Sequence, residues 1–100
     1  MLRLFVLVLA LSVFALNSGA QAAEKGDRDK AMAMLTGADA LFTASEHSKA
    51  ADMCRRALAE DASCAAAHFK LAQCLEQLNK PREAFKSYKT AEELAKKEND

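Results

Sequence analysis

The residues of this chain best equipped for chemistry are three cysteines and one histidine: Cys54, Cys64, Cys74 and His68. Cys64 and His68 stand four positions apart, a spacing that lets two side chains on one helical face share a metal ion, with Cys54 as a possible third ligand. No second Cys/His pair completes a tetrahedron. Three thiols are an odd number, so in an exported protein at least one stays free, pairs between chains or binds something else. Cys64 and Cys74 would lie about 15 Å apart on one continuous helix, beyond the roughly 7 Å reach of a disulfide. Cys54 with Cys74 is the better-placed pair, because antiparallel packing brings their levels together. The alternative makes all three small apolar core side chains, a common role for free cysteine. Nothing else converges on a reaction. Glu46, His47 and Ser48 are consecutive and point apart on a helix, and Glu92 and Glu93 among Lys89, Lys96 and Lys97 read as a solvated, ion-paired face. The expectation is a non-enzyme with no catalytic residue, no metal and no cofactor.

The elements that would carry these residues begin after a targeting segment. Met1 to Arg3 gives a positive end, Leu4 to Leu16 an apolar run, and Ala20-Gln21-Ala22 a small-x-small cleavage site. The run is short of the roughly 20 residues that cross a bilayer core, which favours cleavage over an uncleaved anchor. Residues 1–22 are therefore expected to be a signal peptide, 23–29 a short flexible linker and 30–98 the folded domain, secreted or periplasmic, with no stable membrane anchor after cleavage. The remaining 78 residues carry 13 Lys and Arg against 14 Asp and Glu, interspersed, so nucleic acid is not an expected partner. A chain this short has room for one modest core.

Hydrophobic spacing predicts four helices. The first runs from Arg28 to Thr43 behind an Asp27 N-cap, with Met34, Leu35, Ala38, Leu41 and Phe42 at helical spacing. The second covers His47 to Glu60, and the third Cys64 to Leu78 behind a Ser63 cap. Pro81 fits the first turn of a fourth helix reaching Lys97. The third is apolar nearly all round, as befits an element with several neighbours. The fourth is one-sided: Ala84, Phe85, Tyr88, Ala91 and Ala95 form a stripe, with Arg82, Lys86, Lys89, Glu93 and Lys97 as its wet face. No segment alternates like a strand, so the fold class is all-α.

A period of 34 residues organises these helices, with one copy over 31–64 and the next over 65–98. It pairs Ala38 with Ala72, Leu41 with Leu75, Ala50 with Ala84 and Ala57 with Ala91. The second copy reads His68-x-x-Leu71-Ala72-x-x-Leu75, then Ala84-x-x-x-Tyr88 and Ala91. The first reads Met34-x-x-Gly37-Ala38-x-x-Leu41, then Ala50-x-x-x-Cys54 and Ala57. In these residues the chain resembles the tetratricopeptide repeat (TPR). It departs from that pattern at Gly37, Cys54, Ala62 and Lys96, so the first copy is degenerate. An alanine-rich bundle with chance matches is the competing reading. The resemblance implies two antiparallel helical hairpins stacked as a short TPR-like solenoid, in which small residues let the helices approach closely.

The resemblance also implies a groove lined by the first helix of each hairpin. By register its residues would be Met32, Leu35, Thr36, Asp39, Phe42 and Thr43, then Phe69, Lys70, Gln73, Glu76 and Gln77. Leu35, Asp39, Phe42, Phe69, Lys70, Gln73 and Gln77 are the candidate partner-binding residues. Lys70 is the one cation there and faces Asp39 and Glu76, which speaks against a clamp for a terminal carboxylate. The implied function is an exported TPR-type adaptor or scaffold that binds a peptide or envelope protein, or a homo-oligomer formed through the same face. The alternative is a thiol- or metal-handling protein using Cys54, Cys64 and His68.

Overall fold

The computed structural model describes residues 27–99, so the expected signal peptide lies outside the described residues. Four helices follow one another: α1 (27–43), α2 (His47–Glu60), α3 (Ala65–Gln77) and α4 (Pro81–Asn99). There is no strand among the described residues, and the fold is all-α. Three boundaries differ from expectation. Residues 27–29, assigned to a linker, already belong to α1 with Asp27 inside the helix, and α4 continues past Lys97 to Asn99. Cys64, not Ser63, holds the N-cap position of α3. Ser63 turns instead to the Asp61 carboxylate, donating its amide at 3.0 Å and its hydroxyl at 2.6 Å, which closes an Asx-type turn between α2 and α3.

The connections α1–α2 and α3–α4 are the same turn used twice. Ser45 and Asn79, 34 positions apart, both adopt left-handed backbone, with φ of 63° and 60°. Around Ser45, the amide of Glu46 reaches Leu41 O at 2.9 Å and that of Ser45 reaches Phe42 O at 2.9 Å. The mates repeat this: Lys80 reaches Leu75 O at 2.9 Å and Asn79 reaches Glu76 O at 3.1 Å. These paired bonds define a Schellman-type helix end, which satisfies carbonyls the helix would otherwise leave open. Turns this short make each hairpin antiparallel.

Small residues fill the interior. Ala38, Ala50, Ala57, Ala72, Ala84 and Ala91 are buried, with Leu71 and Leu75 beside them, while Leu41 and Tyr88 are half-buried. The largest wholly buried side chains are Cys54, Cys64 and Cys74, so the helices pack on alanine and cysteine rather than on bulky residues. Two expectations about faces need correction. α3 is not apolar all round in use, because Phe69 and Ala66 are exposed. On α4, Phe85 and Ala95 are also exposed: Ala84 and Ala91, seven positions apart, set the buried line, and Phe85 projects about 100° away from Ala84.

Arg28 ties the ends of this arrangement together. Its Nε donates to the Asp61 carboxylate, and its Nη2 lies 3.3 Å from both Ser63 Oγ and Glu98 Oε1. One side chain thus joins α1, the α2–α3 turn and the end of α4. The Ser63 hydroxyl, followed by the Arg28 guanidinium, holds the Asp61 carboxyl below its ordinary value of 3.8.

Candidate functional site

The residues singled out as a groove separate into three environments. Leu35 is not on an open face: it is 7% exposed and belongs to the core. It joins one buried cluster with Ala50, Ala51, Cys54 and Ala57 of α2 and Ala67, Leu71, Cys74 and Leu75 of α3. Asp39, Phe42 and Lys70 do come together across α1 and α3. Lys70 Nζ sits 3.0 Å from Asp39 Oδ1 and 4.8 Å from the centroid of the Phe42 ring, whose other neighbour is His47 at 4.8 Å in an edge geometry. The groove's one cation is therefore already engaged by a carboxylate and a ring. Gln73 has a buried Oε1 with no partner among the described residues, and Gln77 is exposed.

Phe69 faces elsewhere. It is 49% exposed and meets Tyr88 edge-on at 5.4 Å, while the Tyr88 hydroxyl donates to Glu76 Oε1. That hydrogen bond, with burial second, pushes the Tyr88 phenol up to about 12. Together with Ala65, Ala91, Glu92 and Ala95, the two rings line an open hollow of about 420 Å³ between α3 and α4.

The 34-residue register gives this hollow a meaning. Ala65, Phe69, Tyr88 and Ala91 correspond to Ala31, Leu35, Cys54 and Ala57 of the first hairpin, and all four of the latter are buried. What buries them includes α3, which runs along α1 and α2. Cys64 Sγ at its start lies 3.9 Å from Met32 Sδ, and Leu78 just past its end lies beside Ser45 to Lys49 at the start of α2. The first hairpin thus has α3 packed on it, and among the described residues no helix covers the corresponding face of the second. Sequence reading missed Tyr88 and Phe85 as surface residues. The available signal was the register itself, which places them opposite positions that need a covering helix.

The thiols occupy a different setting. Cys54, Cys64 and Cys74 are free and buried. Burial above all, then the adjacent Cys74, pushes the Cys54 thiol up to about 12, and burial raises Cys74 as well. A raised thiol pKa lowers the thiolate fraction of Cys54 and Cys74 and with it their nucleophilicity. His68 Nε2 lies 3.0 Å from the Ala62 carbonyl oxygen. Among the described residues, no group of three His, Cys, Asp or Glu side chains is placed to share a metal ion, and no helix is long and apolar enough to cross a membrane.

Compared with known proteins, the chain matches no family model and no curated protein. The class is accordingly stated from the fold: an all-α protein of four helices, with an open hollow between α3 and α4 among the described residues.

Proposed function

We propose that this protein is an exported, non-enzymatic interaction module of the TPR type, an adaptor that receives a helical segment of a protein partner. The reading is carried by one observation: Phe69 is exposed and Tyr88 half-buried at register positions whose counterparts, Leu35 and Cys54, are buried in the core. A surface shaped for a helix and left half-exposed has unsatisfied apolar area of the kind that drives association. Repeat physics points the same way, since a hairpin unit stabilises its neighbour chiefly through the shared interface. The α1–α3 face is the weaker candidate, because Lys70 is held by Asp39 and Phe42 and would have to exchange partners.

The test uses a synthetic peptide of sequence 65–78 with Ser in place of its one cysteine, Cys74, since α3 is the helix packed on the first hairpin. Tyr88 is the sole tyrosine and there is no tryptophan, so intrinsic fluorescence reports the seat directly, and the peptide adds no fluorophore of that kind. Saturable change in the Tyr88 signal, lost in Phe69→Asp but kept in Asp39→Ala, is the expected result. A signal lost in Asp39→Ala and kept in Phe69→Asp would move the site to the α1–α3 face. Export is checked separately, by finding Ala23 as the first residue of the mature protein.

A further inference from the structure

Phe85 is the most exposed large apolar residue described, at 68%, and it stands among Pro81, Arg82, Lys86 and Lys89 around a second hollow of about 480 Å³. Stability does not account for this group. Exposing a phenylalanine forgoes burial, and Arg82, in the first turn of α4 beside Glu83, sits at the unfavourable end of the helix dipole. None of the three cations is paired with a carboxylate among the described residues, whereas Lys96 further along α4 is held by Glu92 at 3.1 Å. The register again supplies the comparison. Phe85 corresponds to Ala51, which is fully buried, and Arg82, Lys86 and Lys89 correspond to Ser48, Asp52 and Arg55. In the first hairpin Asp52 and Arg55 pair with each other at 3.1 Å, so that rim is neutral. In the second hairpin the same three positions carry positive charges in no ion pair among the described residues, with Glu83 the one carboxylate in the first turn of α4.

The direction of the occupant follows from α3, which runs antiparallel to α2 and brings Leu78, after its last residue, to the start of α2. A helix seated in the same way on the second hairpin begins over Ala91 and Ala95 and ends over Phe85. Resting on the proposed helix seat, we infer that the partner is an amphipathic helix docked antiparallel to α4, with acidic residues in its last two turns and an apolar side chain there to cover Phe85. Carboxylates over Arg82, Lys86 and Lys89 neutralise the rim. A membrane surface fits less well: three cations and one aromatic ring give only marginal lipid attachment, and the Phe69–Tyr88 end of the seat bears Glu92.

Two peptides built on residues 65–78, with Ser in place of Cys74, test the inference on the full chain. One carries Gln73→Glu and Gln77→Glu, the other Gln73→Lys and Gln77→Lys. Tyr88 fluorescence reads binding of both. The acidic-ended peptide is expected to bind about tenfold more tightly than its Lys counterpart at low salt, with the preference shrinking as salt rises. In the double variant Lys86→Glu, Lys89→Glu, the preference should reverse. Equal affinities would overturn the charge assignment and leave the helix seat standing. Binding of neither peptide would overturn both. Stronger binding to phosphatidylserine vesicles than to the acidic peptide, or self-association that excludes both peptides, would assign the surface to lipid or to a second copy.

Discussion

Gly37 stands inside α1 at a position where the repeat pattern usually has leucine, and a Cβ built on it would meet only the flexible Met53 side chain, at 3.9 Å. That is ordinary contact, so Gly37→Ala is expected to stabilise the protein by about 0.5–1 kcal/mol through reduced chain entropy and better helix propensity, read as a rise in the melting temperature. Tyr88 supplies a second residue-level prediction. Absorbance titration of the sole tyrosine should show a midpoint near 12, and Glu76→Ala should bring it back towards 10. Because the folded value lies above the unfolded one, the stabilisation is present below pH 10 and is lost as pH rises through about 12. Residue roles were only partly legible from type and spacing. Leu35 and Phe69 share a register position and an apolar character, yet one is buried and the other half-exposed. The difference lies in whether a helix covers the seat, which no local pattern encodes. Cysteine was ambiguous for a similar reason: its chemistry depends on access, and alanine-rich packing closes that access.

At the scale of elements, the two matching turns invite direct comparison. Ser45 and Asn79 both hold a left-handed backbone that favours glycine, but asparagine tolerates this region better than serine does. Ser45→Gly should therefore stabilise by about 1 kcal/mol, and Asn79→Gly by less, as measured by urea midpoints of the two variants. The helices themselves were clear in the sequence. α2 has the expected limits, His47 to Glu60, because a polar break precedes it and Asp61-Ala62-Ser63 follows it. The form of its leading turn was not readable, since neither left-handed position is a glycine. The exposed side of α4 was misjudged for a geometric reason: five apolar residues span too wide an arc for one contact line, and only Ala84 and Ala91 lie on it fully.

For the molecule as a whole, Arg28 links α1, the α2–α3 turn and the end of α4, so it reports on the integrity of the stack. Asp61 has a folded-state value below 3.8, which means its contribution is fully present above that pH and disappears as pH falls through the lowered value. Urea midpoints should drop on acidification below 3.8, and Asp61→Asn should start lower at neutral pH and show less of that drop. The 34-residue period was visible in the sequence and reappears in the backbone hydrogen bonds of both turns. What the period could not convey was the asymmetry between its copies, one face covered by α3 and the other by no helix among the described residues. The proposed seat is the centre of the account, and backbone amide shifts of the isotope-labelled protein, titrated with the acidic-ended peptide, address it most directly. Perturbations gathered on Ala65, Phe69, Phe85, Tyr88 and Ala91 are the predicted result. Perturbations gathered instead on Asp39, Phe42 and Lys70 would contradict it.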